Sequence, residues 1–171
     1  MKAILLSVKN RHILNMHSGD KTNELRTRPP QIECPFKVYN YDTESSGGCG
    51  KVVSEWICDS MTRWLIYMGV PVHLITTGCV SVDEILKYTN HGDKDLTAMH
   101  ISNLVIYDKP KELSEFKRFC DGVGGSIGCR GCEYYYSESN ESIGFYDECL
   151  CNNSRPLKKP PQSWCYVEEL E

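Results

Sequence analysis

The stretch Ser18-Gly-Asp-Lys-Thr-Asn-Glu-Leu-Arg26, with the run Lys2-Ala-Ile-Leu-Leu-Ser-Val-Lys9 ahead of it, decides how the chain is read. Ala3 to Val8 is apolar and too short for a useful helix, which predicts a buried first strand. Asn10 as N-cap, Ile13, Leu14 and His17 at helical spacing, and Gly19 where a left-handed cap belongs predict one compact helix. Thr22 to Thr27 then reads as a short strand that Pro29-Pro30 stops. In a strand, positions 22, 24 and 26 share a face, and Lys21 points away unless the turn redirects it.

Outward from there the pattern stays that of a small sheet. Phe36 to Tyr41 alternates with period two, and Lys51 to Cys58 is β-branched and aromatic. Ser45-Ser46-Gly47-Gly48 between them is turn material, so the two read as a meander. Ser81-Val-Asp-Glu84 is a capping box, with Val82, Ile85 and Leu86 on one helical face and an end near Gly92. Ile101 to Tyr107 and Ser163 to Glu168 return to strand character. Most aromatics of these segments, Tyr39, Tyr41, Trp56 and Trp64 among them, are expected in the core, while Trp164 could equally stack on a base.

With 171 residues the chain has room for one domain with a small appendage and not for two catalytic domains. The net charge of −4 argues against a protein that coats nucleic acid through bulk positive charge. Residues 1–30 nonetheless carry six basic side chains, Lys2, Lys9, Arg11, Lys21, Arg26 and Arg28, against Asp20 and Glu24. An anionic ligand would look there, unless these are merely dispersed, solvated groups. No run approaches the apolar length of a membrane span or a secretory leader, so a cytoplasmic protein without a membrane partner is expected.

The opening Lys2 to Lys9, the short helix and Gly19-x-Lys21-x-x-Glu24-x-Arg26 together resemble the ASCH domains of the PUA-like superfamily. Lys51-Val-Val-Ser-Glu-Trp56, His100 to Pro110 and Pro160-Pro-Gln-Ser-Trp-Cys-Tyr-Val167 look like the later strands of phage- and prophage-encoded members. The resemblance covers about 1–110 plus 156–169. It implies an α+β fold, a small PUA-like β-barrel with two or three flanking helices, formed by 1–110 plus 156–171. It also implies recognition of RNA or of a modified nucleoside or nucleotide.

The expected nucleotide-binding residues are Ser7, Lys9, Lys21, Glu24, Arg26 and Trp164. A lysine supplies a mobile cation, an arginine a planar fork for phosphate or a base edge, and a carboxylate can orient an exocyclic amine. A hydrolase on the same cleft, with Lys21 and Glu24 as catalytic residues, is the rival reading. The family includes amidohydrolases resembling the bacterial 4-acetylcytidine enzyme, whose element reads Gly-x-Lys-x-x-Thr-x-Arg. Here Glu24 stands where that threonine hydroxyl would be. Ribonuclease chemistry with Glu24 as base is a further form of that rival. The plain structural alternative is a Glu24–Arg26 ion pair at the barrel rim beside a solvated Lys21. A phage-type protein that binds a host protein through its acidic segment is a third reading.

Residues 111–155 differ in composition and read as a cysteine-rich insertion. Cys129-x-x-Cys132 and Cys149-x-Cys151 form two close thiol pairs, suited to a structural, four-cysteine Zn2+ site, with Cys120 as a competing ligand. Cys34, Cys49, Cys58 and Cys79 are scattered, as small buried apolar side chains often are. His12 and His17 lie five residues apart, not the four that align ligands on one helical face, so they do not read as a metal pair.

Overall fold

The structure is a computed structural model that describes residues 2–119 and 156–170. The four expected zinc ligands Cys129, Cys132, Cys149 and Cys151, the competing Cys120, and most of the cysteine-rich insertion lie outside the described residues. Among the described residues the fold is α+β: six strands form one curled, half-barrel sheet, and three helices pack against it. The strands are β1 (Lys2–Lys9), β2 (Asn23–Arg26), β3 (Phe36–Thr43), β4 (Val52–Trp64), β5 (Leu96–Lys111) and β6 (Trp164–Glu168). Their order across the sheet is β2-β5-β4-β3-β1-β6. β1 runs parallel to β3, and every other neighbouring pair is antiparallel.

β1 is apolar on both sides because both of its faces are covered, which turns the usual alternation into an unbroken run. Ile4, Leu6 and Val8 pack with Val38, Trp56 and Met99 beneath helix α1 (Asn10–His17), which contributes Ile13 and Met16. Ala3 and Leu5 point the other way and pack with Tyr39, Tyr41, Phe116 and Val167. A third cluster, Leu25, Leu74, Ile85, Leu96 and Ala98, lies where helices α2 (Val72–Gly78) and α3 (Val82–Tyr88) meet β2 and β5. A polar knot interrupts the first cluster. Fully buried Asn40 accepts from Trp56 Nε1 at 3.0 Å and donates to Ser54 Oγ at 3.0 Å, so its amide is satisfied and pins the β3–β4 pair.

Three local expectations change. The N-cap of α1 is Lys9, and Asn10 is already helical, its side chain donating to buried Asp42 at 3.0 Å. Helix α2 was not legible, because Val72, Ile75, Thr76 and Thr77 are β-branched and favour strands on propensity alone. β5 begins at Leu96, ahead of the expected Ile101, where it pairs with β2 and with an extended β4. The capping box of α3 is present: Ser81 Oγ accepts from Glu84 N at 3.2 Å, and Glu84 accepts from Ser81 N at 2.9 Å. Gly19 follows α1 at φ +84°, in the left-handed region that favours glycine. Among the described residues, no helix is long and apolar enough to cross a membrane.

Candidate functional site

Among the described residues β2 and β6 are the two edges of the sheet, and curling brings them together across a seam. No backbone ladder joins β2 to β6, so side chains close the gap. Arg26, the last residue of β2, donates to the carbonyl of Ser7 on β1 at 3.1 Å and to Ser163 Oγ, just before β6, at 3.2 Å. Trp164 Nε1 donates to the Arg28 carbonyl at 2.7 Å, and the Tyr166 hydroxyl accepts from Gln31 N at 2.9 Å. These contacts fasten the segment after β2 to β6. Ser7 Oγ donates to the Pro161 carbonyl at 2.6 Å, holding the approach to β6 against β1.

Behind the seam lies a charged cluster. Glu24 faces the same side as Arg26 and takes its guanidinium at 2.8 Å and the Lys21 ammonium at 3.4 Å. The turn does redirect Lys21: its backbone N–H donates to the Asn15 carbonyl of α1 and Thr22 N donates to the Thr77 carbonyl of α2, both at 2.9 Å. Lys21 Nζ then donates to the Gly78 carbonyl at 2.8 Å, placing a cation at the negative end of α2. The side chains of Lys21, Glu24 and Arg26 are only 2%, 7% and 11% exposed, so the cluster holds two cations and one anion away from bulk water. Burial alone would push the Glu24 carboxyl up. Lys21 and Arg26 more than offset it and hold Glu24 below the ordinary carboxylate range, so it is ionised at neutral pH.

His12 on α1 completes the surroundings. Burial first, and then the charge of Lys21, lower its pKa to about 4, so its ring is neutral at pH 7. Among the described residues, its Nδ1 and the Nε of Arg26 are buried atoms without hydrogen-bond partners. His12 carries no motif of its own, and its five-residue separation from His17 fits no metal pair. The sequence signal that could have found it is that His12, Ile13 and Met16 share the inward side of one amphipathic helix. The Gly78 carbonyl and Ser163 were missed as well, since neither a main-chain acceptor nor a lone serine has a sequence signature.

The expected site residues therefore divide. Lys21, Glu24, Arg26 and Ser7 come together, the last through its main chain. Lys9 ends β1 exposed and makes no ion pair among the described residues. Trp164 is half-buried, edge-on to Tyr166 with ring centroids 5.1 Å apart, at the outer lip of the seam. The Glu24–Arg26 pair of the structural alternative exists, but Lys21 is buried rather than solvated. Among the described residues, no group of three or more His, Cys, Asp or Glu side chains could hold a metal ion.

No protein-family model and no curated protein matches the sequence. Solved structures do. The crystal structure of ASCH from Zymomonas mobilis is similar over 65% of this chain and 73% of its own, with a TM-score of 0.56 and 17% identity. A serine-to-alanine variant of that protein aligns over 98% of this chain and 89% of its own, at a TM-score of 0.60 and 13% identity. A tyrosine-to-phenylalanine variant gives 0.54 over 66% of this chain and 77% of its own, at 17% identity. With six strands curled as described, the chain has the ASCH-type fold of these structures.

Proposed function

We propose that the chain recognises RNA or a modified nucleotide at the seam between β2 and β6, with Arg26 and Lys21 as the cationic contacts. The observation that carries this reading is the buried cluster of Lys21, Glu24 and Arg26. Apolar side chains of similar volume would close a seam at equal or lower free-energy cost, because desolvating three charges consumes most of their attraction. Charge retained in such a place is a mark of a functional site. With His12 neutral the cluster carries one net positive charge, and among the described residues nothing takes the Arg26 Nε donor. A phosphate or a base carbonyl would satisfy that donor, and Trp164 at the lip offers a ring face to a base. Ser7 contributes by fixing the seam, and Lys9 by adding exposed positive charge at the end of β1.

Hydrolysis at the same place is the second reading, and His12 favours it. His12 puts a neutral imidazole with an unpartnered nitrogen beside the cluster, able to accept a hydrogen bond from a substrate hydroxyl or a water at pH 7, while Lys21 and Glu24 are committed to each other. Equilibrium titration of the purified protein with short RNAs and with nucleosides tests the binding reading. Lys21→Ala and Arg26→Ala, each checked for folding by circular dichroism, should lose affinity by on the order of tenfold. Unchanged affinity in both folded variants removes the seam as the site. Product formation from RNA or 4-acetylcytidine that His12→Ala abolishes would favour the enzyme.

A further inference from the structure

We propose that Cys34 and Cys58 are a redox pair that closes to an intrachain disulfide when the protein meets a low-molecular-weight disulfide such as oxidised glutathione. Their Sγ atoms stand 4.0 Å apart, in van der Waals contact. Cys58 is fully buried on β4, opposite Phe36 of β3, and Cys34 sits two residues ahead of Phe36 on the segment that enters β3. The β3–β4 register therefore brings the entry to β3 alongside Cys58.

The two thiols differ in access, which orders the steps. Cys34 is half-exposed and meets the oxidant first. Its thiolate attacks one sulfur of the glutathione disulfide, forms a mixed disulfide and expels one glutathione thiolate. The Cys58 thiolate then attacks Cys34 Sγ, forms the Cys34–Cys58 bond and expels the second glutathione as leaving group. The pair loses two electrons and two protons; the oxidant takes the electrons and leaves as two molecules of reduced glutathione. Burial and the neighbouring Cys34 push the Cys58 thiol well above its ordinary range, so the second step is the slow one.

The segment that the bond would tether is the one that closes the seam. Arg28 and Gln31 lie on it and hold Trp164 and Tyr166 of β6. Oxidation would therefore fix the outer lip, whatever ligand the seam takes.

Trypsin makes the test clean, because 27–37 carries Cys34 alone and 52–63 carries Cys58 alone. The folded, reduced chain would be exposed to oxidised glutathione, then unfolded in denaturant, blocked with iodoacetamide, digested and weighed. The expected result is joint loss of both alkylated peptides. A linked species lighter than the sum of the two free-thiol peptides by two hydrogen atoms replaces them, and dithiothreitol reverses the change. Cys34→Ser should leave 52–63 unlinked and alkylated only after unfolding. Persistence of both thiols, a stable glutathione adduct on Cys34 with Cys58 still free, or linkage of either to another cysteine would overturn the proposal.

Discussion

Replacing Glu24 by glutamine keeps the shape of the cluster and removes the charge that two buried cations share. At an effective dielectric of about 20, attractions over 2.8 Å and 3.4 Å are worth roughly 5–6 kcal/mol each before desolvation is charged against them. Breaking a buried pair by removing one partner costs about 3–5 kcal/mol net. The amide oxygen of glutamine still accepts from one cation, so Glu24→Gln should sit near the lower end, about 3 kcal/mol. For a chain of this size that is a fall in Tm of roughly 6–12 °C. Urea unfolding at pH 7 measures it as a lower midpoint with an unchanged slope. The pH dependence adds a second reading of the same effect. Because the folded carboxyl titrates below its ordinary value of 4.5, its contribution is complete above that pH and is lost as the pH falls through the lower folded value. The gap between wild type and variant should therefore narrow on acidification below 4.5. A loss under about 1 kcal/mol at pH 7 would refute the reasoning, since it would mean that Lys21 and Arg26 do not depend on Glu24.

Three other outcomes follow from neighbouring features. The folded chain resists protonation of His12 from its ordinary 6.5 down to about 4, while the unfolded chain does not. Stability should therefore decline as pH falls through that window, and His12→Gln should flatten that part of the urea-midpoint profile; an unchanged slope would count against the assignment. Asn40→Ala strands Trp56 Nε1 and Ser54 Oγ in the core and should cost roughly 2–3 kcal/mol by the same assay. For the cysteine-rich segment, the spacing of Cys129, Cys132, Cys149 and Cys151 predicts about one zinc per chain by elemental analysis of protein purified without a metal resin. Folded, zinc-free protein would remove that expectation.

How far the fold and the site could be read in advance depended on whether the deciding forces were local. β1, α1, β2, β3 and β6 were legible because apolar period and proline placement act within a few residues, as does the capping box that marks α3. Helix α2 was not, since its β-branched sequence is helical only by packing Leu74 against Leu25 and Leu96. Lys21, Glu24 and Arg26 were legible as a motif, but their meeting was not. Strand parity sends Lys21 away from Glu24, and the hydrogen bonds to Asn15 and Gly78, from two different helices, bring it back. The seam itself is a property of curvature: Arg26 reaches Ser163 across 137 positions of sequence because the sheet bends.

Entry of a nucleotide at that seam is what binding requires. Amide chemical shifts of isotope-labelled protein, followed while a short single-stranded RNA is added, address this residue by residue. The account predicts saturable shifts at Lys21 to Arg26, at Ser7, and at Ser163 and Trp164 on the opposite lip. Shifts confined to the far face around Tyr39 and Tyr107, or none at RNA concentrations well above those of the protein, would contradict it.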